Sequence, residues 1–397
     1  MKVLIADKLS KTTEEALSAL GAKLDVQPDL TADTLPEAIG DAQVLVVRST
    51  KVTATTIRAA KKLSLIVRAG AGVNTIDVKA ASERGIYVTN CPGKNSAAVA
   101  ELAIGLLVAC DRRIVDASVD LRNGRWRKKE YGKARGLRGR TLGILGMGMI
   151  GQEVVVRARG LGMHVIAWSR SLTEERAAEL GVGYCATPLD LARASDAVSL
   201  HVAAAPETVN LVGRDFLAAM KPGAILVNAA RGEVVDRAAL LDAIRQRGLR
   251  VGLDVFADEP KEGDAAFADT ELAQCVTATP HIGASTDEAS ESIADEVVRI
   301  VRTFRETGKP VNTVNMCQHS SATHSLVVRH FNRVGVLASV LDLLREEGVN
   351  VEETENTIFE GAQAACCTFL LDSPPSDKVV ATLSRNENIL QVSLESR

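Results

Sequence analysis

The chain is predicted to be α/β, with two doubly wound parallel sheets followed by a small βαββαβ module, and three observations predict it. Short apolar runs alternate with helix-like stretches from the N-terminus to about residue 282, the pattern of parallel strands joined by crossover helices. Within that alternation, the strand Thr141–Leu145 runs into Gly146-Met-Gly148-Met-Ile-Gly151 and then a helix. In such a turn the first glycine makes the bend, the second lets backbone approach a pyrophosphate, and the third lets the helix pack on the strand. The helix N-terminus offers free N–H groups to the phosphates. The third observation is residues 323–397, which read strand, helix, strand, strand, helix, strand, the ferredoxin-like order.

In chain order, strands are expected at Val3–Ala6, Val44–Val47, Leu65–Val67 and Ile86–Val88, with helices at Thr12–Leu20, Thr53–Ala60 and Val78–Arg84. Ser96–Ser118 is a long, almost wholly apolar helix that demands burial within the chain or against a partner. Arg125–Arg140 then carries eight cations (Arg125, Arg127, Lys128, Lys129, Lys133, Arg135, Arg138, Arg140) against the single acid Glu130, reading either as a solvated loop or as an anion contact. Strands resume at Thr141–Leu145, His164–Trp168, Ala197–Val202, Ala224–Asn228, Val251–Phe256 and Val276–Thr279. A helix over Asp287–Thr307 returns the chain toward the first sheet, and residues 315–325 read as a linker. In the last module, strands are expected at Ser325–Arg329, Val351–Ile358 and Gln363–Leu371, with a helix at Val336–Glu347. The expected division is a discontinuous flavodoxin-like substrate domain (1–96 and 288–316), a Rossmann dinucleotide-binding domain (97–287) and a small separate module (323–397).

With 397 residues, 46% hydrophobic, 24% charged and a net charge of −3, nothing global points to nucleic acid or an anionic membrane. Seven scattered cysteines without C-x-x-C pairs read as reduced thiols of a cytoplasmic protein, with no metal site. No signal peptide or membrane-length apolar run is expected.

Ligands of doubly wound sheets lie at the carboxyl ends of the strands. Three residues fall there: Arg231, Glu259 and His281. Moving a hydride between a nicotinamide and a hydroxyl carbon needs a proton acceptor, for which histidine has the right pKa. It also needs a cation on the substrate carboxylate, which suits the arginine fork. Glu259 beside the imidazole would orient it and raise its pKa. His201 competes for the proton-transfer role, and an arginine after a strand is also a common surface ion pair. Where an acidic ribose contact is expected after the second strand, the sequence has Ser169-Arg170, so NADP stands beside NAD as cofactor.

Four ordered motifs resemble the D-2-hydroxyacid dehydrogenase family: the glycine turn, Asn228-Ala-Ala-Arg231-Gly-Glu-Val-Val-Asp236, Gly252-Leu-Asp254-Val-Phe-Ala-Asp-Glu259-Pro and Thr279-Pro-His281-Ile-Gly283-Ala-Ser-Thr. Val47-Arg48-Ser49-Thr-Lys-Val-Thr and Arg68-Ala-Gly70-Ala71-Gly72-Val-Asn74 resemble, within it, members that oxidise 3-phospho-D-glycerate in the first step of serine synthesis. The resemblance implies Arg231 as the substrate-binding catalytic arginine, His281 as acid/base and Glu259 as its partner. It sets Arg48, Ser49, Arg68, Asn74 and the backbone of 69–72 (Gly70, Ala71 and Gly72 among them) around a phosphorylated 2-hydroxy acid. On the cofactor side it implies Gly146, Gly148, Met149, Ile150, Gly151, Ser169, Arg170, Val202, Ala230, Asp254 and Gly283. It further implies a homodimer or homotetramer in which Lys128 or Arg135 approaches the neighbour's site. Ser169 in place of the usual aspartate and His201-Val202-Ala203 in place of His-x-Pro depart from the pattern.

The tail resembles an ACT domain through His330-Phe-Asn332-Arg-Val-Gly-Val-Leu and Asn350, with valine at 334 where proline is common. That resemblance implies an L-serine effector held by His330 and Asn332 of one copy and Asn350 of another; the two asparagines also read as a helix cap and a turn residue. A glyoxylate or hydroxypyruvate reductase is the alternative within the class. A nucleotide-sensing protein like the C-terminal-binding co-repressors is the alternative outside it.

Overall fold

The computed structural model describes residues 1–260, 265–317 and 320–397, and divides into two units, Met1–Asn315 and Met316–Arg397. The first unit opens with five parallel strands: Lys2–Ile5 (β1), Lys23–Val26 (β2), Val44–Val47 (β3), Leu65–Arg68 (β4) and Tyr87–Thr89 (β5). Their order is β2-β1-β3-β4-β5, the flavodoxin-like order, which reverses between β1 and β3. Both faces are buried. Leu4, Leu45, Val47 and Ile66 pack with Leu35, Ile39 and Ile57, while Val3, Ile5, Val44, Val46, Leu65 and Val67 pack with Leu17 and with Val297, Ile300 and Val301 of the helix Asp287–Thr307. Near-continuous aliphatic runs in these strands follow from burial on two sides.

A second parallel sheet comprises Thr141–Leu145 (β6), His164–Trp168 (β7), Gly183–Tyr184 (β8), Ala197–Leu200 (β9), Ile225–Asn228 (β10), Arg250–Leu253 (β11) and Thr277–Ala278 (β12). Its order, β12-β11-β10-β9-β6-β7-β8, is the Rossmann order extended by one strand, and it reverses between β6 and β9. The apolar helix Ser96–Arg112 is buried within the chain: Val99, Ala103, Leu106 and Leu107 share a core with Val154, Val155 and Ala158 of the helix Met149–Gly160 and with Ile225 and Val227.

Several elements differ from expectation. The helix expected to reach Ser118 ends at Arg112; Arg113 is left-handed (φ 53°) and starts a second helix, Ile114–Arg122. β2 and β8 are edge strands with largely unburied residues and so carry no apolar signal. The expected strand Val276–Thr279 forms ladder pairs only at Thr277 and Ala278. Of the linker 315–325, Gln318 and His319 lie outside the described residues.

The basic stretch contains a short helix, Lys128–Tyr131, and half of its cations have carboxylate partners: Arg125 and Arg127 with Asp120, Arg135 with Asp196, and Arg140 with Asp111. The last pair is buried, Nη1 to Oδ1 at 2.9 Å, and Asp111 also accepts from the Gly136 N–H at 3.1 Å. It ties the end of the apolar helix to the start of β6.

The second unit is an antiparallel sheet of His324–Phe331 (β13), Val351–Ile358 (β14), Ala364–Leu371 (β15) and Ile389–Ser396 (β16), in the order β14-β15-β13-β16. That is the ferredoxin-like arrangement. One face packs Leu326, Val328 and Phe369 against Val340 and Leu383 of its two helices.

Replacing Arg140 with alanine leaves Asp111 charged and buried without its partner, a change that costs about 3–5 kcal/mol. A large fall in the urea midpoint of the first unit is the expected result, read by far-ultraviolet circular dichroism.

Candidate active site

Two glycines of the turn meet steric demands within the chain, and the third leaves the helix N-terminus bare. Gly146 has φ +105°, and a Cβ there would lie 2.6 Å from the His201 carbonyl carbon, so the turn is pressed against the end of β9. A Cβ on Gly151 would lie 2.2 Å from the Gly146 oxygen. Gly148, the N-cap of Met149–Gly160, would meet nothing within 4 Å. The first turn of that helix therefore presents free N–H groups over a surface with no side chain in the way, which fits the phosphates of a dinucleotide. Met149 is exposed, and its Sδ lies 2.7 Å from where a Cβ of Gly93 would stand; Ile150 packs on the core beneath. Ser169 and Arg170 follow β7 and Val202 follows β9, on the flanks of the turn. Arg170 is exposed.

His201 stands at the end of β9, its backbone against the glycine turn. Its Nε2 shares a hydrogen bond with Ser199 Oγ at 2.8 Å, its Nδ1 is buried without a partner, and burial pushes its pKa down to about 4.

Arg231, Glu259 and His281 come together from the ends of β10, β11 and β12. The loop after β10 is folded by Asn228, whose Oδ1 accepts from the Ala230 N–H (3.0 Å) and whose Nδ2 donates to the Arg231 carbonyl (2.9 Å). Arg231 reaches the other sheet: its Nη2 lies 2.8 Å from where a Gly72 Cβ would be, and Asn74 Oδ1 is 3.2 Å from the same point. Any side chain at 72 would displace the guanidinium. His281 Nδ1 and Glu259 Oε2 are 2.6 Å apart, and Glu259 Oε1 accepts from the Phe256 N–H at 3.0 Å. The bond to Glu259 outweighs burial and holds the imidazole pKa above the ordinary histidine value, with Asp254 acting in the same direction and Arg231 against it. Burial pushes Glu259 up, but the bonds from His281 and Phe256 and the field of Arg231 leave it below the ordinary glutamate value.

Asp254 is buried and organises the loop that carries His281. Its Oδ1 accepts from Thr279 Oγ1 (2.6 Å) and the Ile282 N–H (2.9 Å), its Oδ2 from the Gly283 N–H (2.9 Å), and its carbonyl from the His281 N–H (2.8 Å). A Cβ on Gly283 would stand 2.8 Å from that carboxylate. His281 itself has φ 52°, a left-handed conformation unusual for histidine and one that such a network sustains.

Across from the histidine, a cleft of about 830 Å³ is lined by Arg48, Ser49, Arg68 and Gly70 of the first sheet and by Phe256, Glu259 and His281 of the second. Arg68 folds over Gly70, and its Nε is buried without a partner. Burial first, then the neighbouring Arg231 and Arg48, hold its pKa below the ordinary arginine value. Ala71 is held by Asn90, whose Nδ2 donates to its carbonyl at 2.5 Å. Asp7, which sequence reasoning passed over, accepts from the Arg48 N–H (2.6 Å) and the Thr50 N–H (3.1 Å) and so joins the ends of β1 and β3. An acid directly after the first strand of a doubly wound sheet was the available signal.

In the second unit, His330 is buried, with Nδ1 against the Phe331 carbonyl (2.8 Å) and Nε2 against Asn356 Oδ1 (3.3 Å). Asn332 donates to the Ala362 carbonyl, and Asn350 donates to Glu352. Asn332 follows the last residue of β13, whereas Asn350 precedes β14, whose first residue shares Leu371 as partner with the first residue of β13. The two asparagines thus lie at opposite ends of one sheet, about 26 Å apart at ~3.3 Å per residue.

The family model described as D-isomer specific 2-hydroxyacid dehydrogenase, NAD binding domain, matches residues 104–283. The D-3-phosphoglycerate dehydrogenase of Methanocaldococcus jannaschii is 40% identical over 319 residues, 80% of this chain and 60% of that protein, so the chain spans little more than half of such relatives. The hydroxypyruvate reductase of Thermotoga maritima is 42% identical over 310 residues, 77% of this chain and 98% of that protein. Among solved structures, the TT0316 protein of Thermus thermophilus superimposes with a TM-score of 0.72 at 34% identity, covering 79% of this chain and 100% of that one. With the Rossmann strand order, the glycine turn and the Arg231, Glu259 and His281 cluster in place, these likenesses identify the chain as a member of the D-isomer specific 2-hydroxyacid dehydrogenase family.

Proposed function

We propose that the chain oxidises 3-phospho-D-glycerate to 3-phosphohydroxypyruvate with NAD, the first step of L-serine synthesis. The observation that carries this reading is the set of guanidinium groups: Arg48 and Arg68 line the cleft and Arg231 stands beside Arg68 against Gly72, none of them ion-paired with a carboxylate among the described residues. A 2-hydroxy acid bearing a phosphate supplies a carboxylate and a second, more highly charged group to match them; a simple 2-oxo acid supplies one charge. The M. jannaschii relative named for this activity supports the same choice.

Arg231 grips the carboxylate and sets C2 against the histidine. Nδ1 of His281 is taken by Glu259, so Nε2 is the nitrogen that accepts the C2 hydroxyl proton, and Glu259 stabilises the imidazolium that results. Gly146, Gly148 and the free N–H groups that open Met149–Gly160 would hold a dinucleotide, which would supply the hydride acceptor for C2. In reverse, the protonated His281 donates to the forming hydroxyl. Ser169 puts no carboxylate against a 2′-phosphate and Arg170 is free to meet one, so the same groove is compatible with NADP.

A hydroxypyruvate or glyoxylate reductase is the second reading, favoured by the near-complete match to the T. maritima reductase. For the second unit we propose an ACT-like regulatory role in which L-serine binds between copies, because the separation of Asn332 and Asn350 needs two chains to complete one site. The exposed apolar residues Ile114, Val115, Val119, Leu121 and Trp126 support a homodimer of the first unit, with Lys128 directed to the neighbour. Cys91, Cys110 and Cys185 are buried thiols, which supports placing the enzyme in the cytoplasm, and no described helix is long and apolar enough to cross a membrane.

Three outcomes follow. NADH or NADPH oxidation should be fastest with 3-phosphohydroxypyruvate, and His281→Ala should slow it about 100-fold or more; faster turnover of glyoxylate would assign the chain to the reductases. Because reduction needs the protonated imidazole, its rate should fall as pH rises through the raised pKa of His281. Glu259→Gln should move that fall toward about pH 6.5, the ordinary histidine value, in a kcat/KM profile. Titration calorimetry should show L-serine binding that is lost in Asn332→Ala; absence of heat with the unaltered chain would remove the regulatory role.

A further inference from the structure

Lys8 is the cation of the cleft that the proposed chemistry has not used. It follows β1 and lines the same cavity as Arg48 and His281, and among the described residues it makes no ion pair or hydrogen bond. The carboxylate of its neighbour Asp7 accepts from the Arg48 and Thr50 N–H groups and makes no ion pair with it. β1 and β3 are the two strands between which the order of the first sheet reverses, and the crevice outside the carboxyl ends at such a point is where doubly wound sheets bind ligands. Lys8 and Arg48 are the two cations that flank it.

The strand order also places the cations in a row. Arg231 meets the loop after β4 at Gly72, Arg68 ends β4, Arg48 follows β3, and Lys8 follows β1. Neighbouring strands are ~4.8 Å apart, so the loop after β1 stands about 10 Å beyond the loop where Arg231 would hold a carboxylate. A substrate fixed by its carboxylate at one end of this row points its far carbon toward the other. Lysine suits that end, since its ammonium is a point charge on a flexible stem and phosphate needs no planar fork.

We infer that Lys8, paired with Arg48, anchors the substrate's phosphate and so determines whether the enzyme selects a phosphorylated acid over an unphosphorylated one. The inference rests on the phosphoglycerate reading of the cleft and assigns one side chain to its discrimination.

The test compares the full-length chain with Lys8→Met and Lys8→Arg, using 3-phosphohydroxypyruvate and glyoxylate as acceptors and inorganic phosphate as a competing ligand. In Lys8→Met the ratio of kcat/KM for the phosphorylated over the unphosphorylated acceptor should fall about tenfold or more, the loss residing in KM, while Lys8→Arg retains most of it. Inorganic phosphate should inhibit glyoxylate reduction by the unaltered chain more strongly than by Lys8→Met. A preference for the phosphorylated acceptor that survives in Lys8→Met, with phosphate inhibition unchanged, would make Lys8 a solvated surface cation and overturn the inference alone. An unaltered chain that shows no such preference would overturn the phosphoglycerate reading; the phosphate competition would then still decide whether Lys8 binds the anion.

Discussion

The buried carboxylate of Asp254 is the contact on which the geometry of the site depends. Three donors from one loop, Thr279 Oγ1 and the Ile282 and Gly283 N–H groups, converge on it, and its own carbonyl takes the His281 N–H. A charged acceptor with several short donors is among the stronger arrangements available inside a protein. It offsets a left-handed histidine, which alone costs on the order of 1–3 kcal/mol. Without that turn the imidazole would not meet Glu259, and neither proton chemistry nor a raised pKa would follow. Gly283 belongs to the same constraint, since a side chain there would strike the carboxylate that shapes the loop.

Around this loop, two sheets of different strand order present their carboxyl ends to one cleft. Each sheet reverses at one point, between β1 and β3 in the first and between β6 and β9 in the second. The first reversal is bridged by Asp7, and the second is closed by Gly146 against the end of β9. Cationic side chains gather at one and bare backbone N–H groups at the other. The division of labour between small acid and dinucleotide is thereby a property of topology before it is one of individual residues.

What could be read beforehand follows the same physics. The glycine turn was legible because its spacing between a strand and a helix matches what a bend, an open helix N-terminus and close helix packing require, and the strands buried on both faces were legible because they are continuous aliphatic runs. Arg231, Glu259 and His281 could be placed at strand ends, but their convergence needed three dimensions. β2 and β8 were missed because edge strands need no apolar residues, and the break at Arg113 was missed because an arginine in the left-handed region leaves no compositional trace. Asp7 and Lys8 look like ordinary surface charges until the strand order sets them beside Arg48. Asp254 was recognised as part of a cofactor motif, whereas its grip on the histidine loop is a matter of coordinates.

One face of the first sheet is completed by Val297, Ile300 and Val301, from a helix that lies more than two hundred residues after β4 in the chain. During synthesis, at ~5–20 residues per second, that face waits roughly 10–50 s for its cover. The intervening segment closes its own core meanwhile, since the strands and helices of the second sheet are contiguous in sequence. A nascent chain thus presents a finished second sheet beside an open aliphatic surface on the first. The interval in which this protein is most exposed to chaperones and to aggregation is written into the discontinuity of its first sheet.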